Sequence, residues 1–314
     1  MLIWTSLSIY QQLKSQTDLK PALYQMLLAL KNPVSLMQFL FAILLMPLNW
    51  FLETAKLYLL LKSEVKISFR HTLEAVLSGL AFSMNTPNRI GEYFGRILSL
   101  EKGQRLIGAN FSIVSGLSQL FVTMTAGFVS IIIFKDLHES VGNSAEILGY
   151  ITSDVFMLLL FFACLLLLAS YFFYTSIVQA LCKLLPIKKM TTLASGIKKI
   201  PSFLLLTILT ISIVRFIIFT TQYLLILHAF GVKFEYHAGF AFISIIYLVM
   251  AIIPTIAFAE LGIRGKVALI VAGGFTNQLL ALTAGTVFVW ILNLVLPAII
   301  GTTFLWKINL RSSS

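Results

Sequence analysis

From Ser202 to Ala229 the chain runs for 28 residues with Arg215 as its one formal charge. A stretch of that length and apolarity crosses a hydrocarbon core of ~30 Å as a helix, for which about 20 residues suffice. The same reading places spans at Pro33–Leu61, Leu106–Phe134, Val155–Tyr174 and Gly285–Leu305. The composition agrees, with 59% hydrophobic residues, 11% charged residues and a mean hydropathy of +0.95. No polar block is long enough for a soluble domain. The expected fold is an all-α polytopic membrane protein with about six to eight membrane segments. Residues 33–314 form one transmembrane domain, and residues 1–32 are an interfacial segment or a truncated first helix.

Loop charges orient the spans. The loop from Lys135 to Asp154 carries Asp136, Glu139, Glu146 and Asp154 against one lysine, so it reads as external. Cys182–Pro201 carries Lys183, Lys188, Lys189, Lys198 and Lys199 and reads as cytoplasmic. Lys307 and Arg311 then place the C-terminus inside, in a multi-pass protein of the bacterial cytoplasmic membrane. The net charge of +11 follows mostly from this rule, with the remainder available for anionic lipid head groups.

Two segments break the pattern. Thr72–Thr86 is apolar but short, ends at Pro87, and is followed by Arg89, Gly91, Glu92, Gly95 and Arg96 and a second short run, Phe94–Leu100. Lys62, Lys66 and Arg70 precede it and Lys102 and Arg105 follow it, so positive residues flank both ends. That arrangement predicts a re-entrant hairpin whose tip is covered by protein. Ala238–Ile253, Pro254, Glu260-Leu-Gly262-Ile-Arg264 and Val267–Leu282 repeat it, dipping in from the opposite face. The alternative has Ala238–Phe258 spanning fully and Glu260–Lys266 as a cytoplasmic loop; charge counting leaves both open. The first hairpin also puts the N-terminus outside, where Lys14, Lys20 and Lys31 call for one more helix before them or for Met1–Leu13 as its remnant.

Charge at bilayer depth is costly and serves binding or transport by default. Arginine's planar fork suits a lipid phosphate, so Arg89, Arg96, Arg215 and Arg264, with Glu92 and Glu260, are the candidate head-group ligands. Glu53 and Lys56 are three apart on one helix face and can pair, one turn after Asn49 and Trp50. Arg215 has no acid within four positions, so its partner comes from another segment; Gln222 shares its face. Gly91 and Gly95 have the spacing that lets another backbone approach. The plainer reading is that Arg89–Glu92–Arg96 and Glu260–Arg264 are salt bridges that pin hairpins or surface loops. Cys164 and Cys182 make no disulfide framework, and His71, His138, His228 and His237 show no ligand spacing. No nucleotide loop or nucleophile elbow is present. No metal, no cofactor, no nucleic-acid partner and no enzymatic reaction are expected.

Asn49-Trp50…Glu53…Lys56, Pro87-Asn-Arg89-Ile-Gly91-Glu92…Gly95-Arg96, Arg215…Gln222-Tyr223 and Pro254…Glu260-Leu-Gly262-Ile-Arg264-Gly265 occur in that order from residue 33 onward. This pattern resembles the lysylphosphatidylglycerol synthase transmembrane-region family of flippase-like membrane proteins. The resemblance implies a stand-alone member without the soluble synthase domain, and one further helix at the N-terminus. Gly265-Lys266 stands where the family's second motif has an acid after the arginine. The function implied is binding and movement of an anionic or polyprenyl-phosphate lipid, with Gly91, Gly95, Gly262, Glu53, Lys56 and Gln222 in support. The alternatives are a membrane-embedded transferase using Glu92 or Glu260 as base, and an accessory subunit of a partner lipid-modifying enzyme.

Overall fold

A computed structural model of the protein describes residues 24, 27–84, 86, 90–101, 103–139, 149, 152–184, 199–253, 257–272, 276 and 278–312. Expectations for Met1–Leu13, Arg89, the two tip prolines and most of the connecting loops fall outside them. Among the described residues the protein is all-helical. The helices are α1 (Pro33–Lys62), α2 (Phe69–Ser83), α3 (Gly91–Leu98), α4 (Arg105–Glu139), α5 (Asp154–Phe172) and α6 (Tyr174–Leu184). Then come α7 (Ser202–Ala229), α8 (Tyr236–Ile252), α9 (Ala257–Ala272), α10 (Leu279–Trp290) and α11 (Leu296–Ser312), with a π turn, Ile291–Val295, joining the last two. Five stretches are long and apolar enough to cross a membrane: Pro33–Lys62, Arg105–Ile133, Asp154–Phe172, Ser202–Ala229 and Leu279–Phe304. The protein is a multi-pass membrane protein.

Side-chain contacts fix the directions of these spans. Asn49 and Ala42 of α1 meet Arg215 and Gln222 of α7, so the two helices are antiparallel. Ser118 and Gln119 of α4 meet Ser212 and Arg215, which makes α4 parallel to α7. Leu227, Tyr223 and Gln222 of α7 meet Gly285, Thr286 and Asn293 in turn, so the last span again runs with α1. The chain therefore leaves α1 and enters α4 at one end of the bundle, and leaves α7 and enters α10 at the other. The pair α2–α3 inserts from the first end and α8–α9 from the second. This is the inverted arrangement expected from the flanking charges of the first hairpin and the short apolar runs and proline of the second.

Both pairs stop near mid-depth. Gln119 and Arg215 stand halfway along their spans, with Asn49 and Asn293 within one turn of halfway. Met84, just past the end of α2, packs on Trp290 and Leu294, beside Asn293. Tyr247 of α8 sits against Phe216, Phe219 and Tyr223. Ile252 ends that helix ~8 Å further along, at about the level of Arg215. A fully spanning Ala238–Phe258 with a loop at Glu260–Lys266 does not fit: those residues are helical, and Glu260 and Arg264 are buried.

Close packing holds the first hairpin. A Cβ on Gly95 would lie 2.6 Å from Gly79 Cα and from the Ser78 carbonyl, and one on Gly91 would strike the Phe82 carbonyl. As residues 91 to 95 pass 82 to 79, α2 and α3 are antiparallel with their backbones nearly touching, the role expected of the Gly91/Gly95 spacing. Two boundaries differ from the sequence reading. Val267–Leu282 is not one segment, because α9 ends at Ala272 and α10 begins at Leu279; the last span thus starts six residues before Gly285. Hydropathy averages across that break because both sides of it are apolar. The π turn has a local cause: Pro297 has no N–H to give the Asn293 carbonyl four residues back. Pi-helical widening of this kind recurs at functional sites.

Gly95→Val should lower stability by about 1–3 kcal/mol through overpacking against α2. Gly103→Ala, where a Cβ meets nothing within 4 Å, should leave it unchanged. Thermal unfolding of both variants in detergent micelles measures the difference.

Candidate functional site

The buried carboxylate of Glu53 on α1 is the point where the elements meet. Its Oε1 accepts from Arg96 Nη2 of α3 at 2.7 Å, and its Oε2 lies 2.9 Å from Lys56 Nζ and 3.0 Å from Arg215 Nη1 of α7. Three cations around one acid are tolerable because each also has neutral or acidic partners. Arg96 Nη2 pairs with Glu92, one turn earlier on α3. Arg215 Nε donates to Asn49 Oδ1 at 2.7 Å and Nη1 to Gln119 Oε1 at 3.0 Å, with the guanidinium 4.8 Å from the Phe219 ring centre. Lys56 Nζ donates to the Ser115 carbonyl and to Gln119 Oε1, both at 3.4 Å, and the lysine is 0% exposed. Lys56 is thus held inside the bundle by its partners.

An amide chain extends the cluster to the last span. Asn49 Nδ2 donates to Asn293 Oδ1 at 3.4 Å, Asn293 Nδ2 to Gln222 Oε1 at 2.7 Å, and Gln222 Nε2 to the Ala42 carbonyl at 2.9 Å. On the second hairpin, Arg264 Nη2 donates to Glu260 Oε1 at 2.6 Å and its guanidinium lies 5.5 Å from the Tyr247 ring centre.

These groups surround one cavity of about 500 Å³. It is lined by Asn49, Trp50 and Glu53 of α1, Glu92, Tyr93 and Arg96 of α3, and Gln119 of α4. Arg215 and Phe219 of α7, Tyr247 of α8, Glu260 and Arg264 of α9, and Trp290 and Asn293 of the last span close it. Both charged segments thus face a single space. Lys56 and Gln222 stand behind its wall, Gly91 and Gly95 serve the α2–α3 contact, and Gly262 lies half-buried on α9 between Glu260 and Arg264. Arg89 lies outside the described residues.

On lining residues, Trp50 Nε1, Trp290 Nε1, Arg96 Nε, Arg264 Nε and the Ser112 and Ser115 hydroxyls are buried with no hydrogen-bond partner among the described residues. A buried donor left unmade costs about 1–3 kcal/mol, and these atoms are covered within the wall of the cavity. Sequence reasoning missed Gln119, Asn293, Tyr93, Tyr247 and Trp290. An amide at the midpoint of an otherwise apolar run was the available signal for the first two. Nothing in the sequence marks the aromatic residues, whose roles depend on which helices converge.

No protein-family model and no curated protein matches the chain. Function is therefore read from the cavity.

Glu53→Ala should cost about 3–5 kcal/mol, because it leaves buried Arg96, Lys56 and Arg215 short of their common anion. Lys56→Met should cost far less, since two guanidinium groups still hold Glu53. Unfolding of the purified variants in micelles measures both; equal losses would show that Lys56 is as necessary as the acid.

Proposed function

We propose that the protein binds the anionic head group of a membrane lipid in the central cavity and moves it between leaflets. The observation that carries this reading is the meeting of Arg96, Arg215 and Arg264, from three different helices, around one mid-depth space. A phosphate offers only acceptor oxygens, which matches a wall rich in N–H donors. The hairpins enter from opposite ends and place the site where inverted-repeat transporters have theirs. Exposed apolar side chains such as Phe41, Leu44 and Phe51 on α1 give acyl chains a surface to follow while the head group enters.

The resemblance to the lysylphosphatidylglycerol synthase transmembrane-region family supports the same reading. The hairpins are the elements its motifs occupy. In this reading the end of the bundle carrying Lys62, Lys66, Arg70 and Lys199 is cytoplasmic, as is the C-terminus, in a bacterial inner membrane. Each acid in the cavity, Glu53, Glu92 and Glu260, is paired with a guanidinium. That pairing favours binding over a general-base role, which needs a carboxylate poised to take a proton.

Reconstituted vesicles containing a fluorescent anionic lipid test the proposal through the rate at which external reductant reaches inner-leaflet label. The wild-type protein should accelerate exchange, and Arg215→Gln and Arg264→Gln should each reduce it at least about tenfold, the scale of a lost charge-assisted hydrogen bond. Unchanged exchange in folded variants would sink the proposal.

A further inference from the structure

Of the three arginines lining the cavity, Arg215 keeps the most exposed side chain, 16% against 4% for Arg96 and 8% for Arg264. It is the guanidinium with the most surface for a ligand to touch. Its setting comes from behind the wall. Arg215 Nε donates to Asn49 Oδ1 at 2.7 Å, and Asn49 Nδ2 donates to Asn293 Oδ1 at 3.4 Å. Asn293 Nδ2 donates to Gln222 Oε1 at 2.7 Å, and Gln222 Nε2 donates to the Ala42 carbonyl at 2.9 Å. Asn293 is tethered as well to its own helix, where Nδ2 also donates to the Val289 carbonyl at 3.2 Å. Every bond from Arg215 to Ala42 points the same way.

The ends of the chain dictate that direction. A guanidinium only donates and a backbone carbonyl only accepts, so both ends demand the same polarity of the three amides between them. Turning any one amide over would set oxygen against oxygen on one side and N–H against N–H on the other. The Ala42 carbonyl belongs to the backbone of α1 and is the fixed reference. Arg215 is a long side chain with several rotors, and it is the end that takes the setting. Resting on the lipid-binding reading above, we infer that Gln222 is a positioning residue: through Asn293 and Asn49 it holds the Nε edge of Arg215 and presets that guanidinium for the head-group phosphate. Gln222 itself is 0% exposed and stands behind the cavity wall, so it acts without touching the ligand. A preset guanidinium has less rotamer freedom left to lose on binding, so the effect falls on affinity.

The test is equilibrium binding to the full chain in nonionic micelles. It compares phosphatidylglycerol with diacylglycerol, which has the same acyl chains and no phosphate. The wild-type protein should bind phosphatidylglycerol at least about tenfold more tightly, the scale of a hydrogen bond to a charged group. Gln222→Met, of similar length but without the amide, should weaken phosphatidylglycerol at least about threefold, the scale of one neutral hydrogen bond. It should leave diacylglycerol unchanged. Arg215→Gln should weaken phosphatidylglycerol further than Gln222→Met does, and adding Gln222→Met to it should cost nothing more, because the amide acts through that guanidinium. Unchanged phosphatidylglycerol binding in folded Gln222→Met would overturn the inference. Equal weakening of both lipids would do the same, since it reports a packing role. A further threefold loss on top of Arg215→Gln would also overturn it. Should Gln222→Met not fold, Gln222→Asn, too short to reach both partners, carries the same expectations. Wild-type protein that binds phosphatidylglycerol no better than diacylglycerol would instead sink the lipid-binding reading, and this inference with it.

Discussion

One carboxylate holds the interior together. Glu53 joins α1 to α3 through Arg96 and to α7 through Arg215, while Lys56 carries the connection to α4 through Ser115 and Gln119. In water such contacts would contribute little. Between helices, each ion depends on the others being in place, so the cluster fixes register more than it adds stability. Sliding α3 by one turn would carry Arg96 ~5 Å from Glu53 and strand both. The hairpin's position along the bundle is therefore specified by a charge that has nowhere else to go.

The two hairpins meet that constraint by different means. In α2–α3 the glycines bring backbones into contact, and a Cβ on Gly79 would strike the Glu92 carbonyl at 2.6 Å. The same region is clamped on its other side, where a Cβ on Gly301 of α11 would strike the Leu77 carbonyl. In α8–α9 the contacts described are made by side chains, with Arg264 set between Glu260 and the Tyr247 ring. A backbone-to-backbone interface has little freedom to adjust, whereas one built from long side chains can re-form over a range of separations.

How far this was legible in the sequence depends on the kind of signal. The spans were readable because hydropathy over twenty residues reports directly on the solvent around a helix. The first hairpin was readable because basic residues on both flanks of a short apolar run leave few ways to thread it, and the second through its short apolar runs and Pro254. The break between Ala272 and Leu279 was hidden by apolar residues on both sides, and the full-span alternative for Ala238–Phe258 stayed open because loop charges cannot report depth. Within the site, the pairs written along one helix, Glu53–Lys56, Glu92–Arg96 and Glu260–Arg264, were visible as i,i+3 and i,i+4 spacings. Arg215 signalled by lacking a local acid that its partner was remote, but only the packing of α1 against α7 names Glu53.

The choice of cation at each position follows from what a preformed binding site must do. It has to be stable when empty and still have donors to offer. Lysine presents a point charge that its internal partners use up, and Lys56 stands behind the cavity wall with no exposure at all. Arginine's five donors can divide the two tasks, since some N–H groups can hold an internal acid while others remain for a ligand. Arg96 and Arg264 each set Nη2 on a carboxylate while lining the cavity. The salt bridges that pin the hairpins and the guanidinium groups that line the cavity thus belong to the same side chains. Reading the pairs as structural and reading the arginines as ligand-binding are not competing accounts, because the first supplies the rigidity that the second requires.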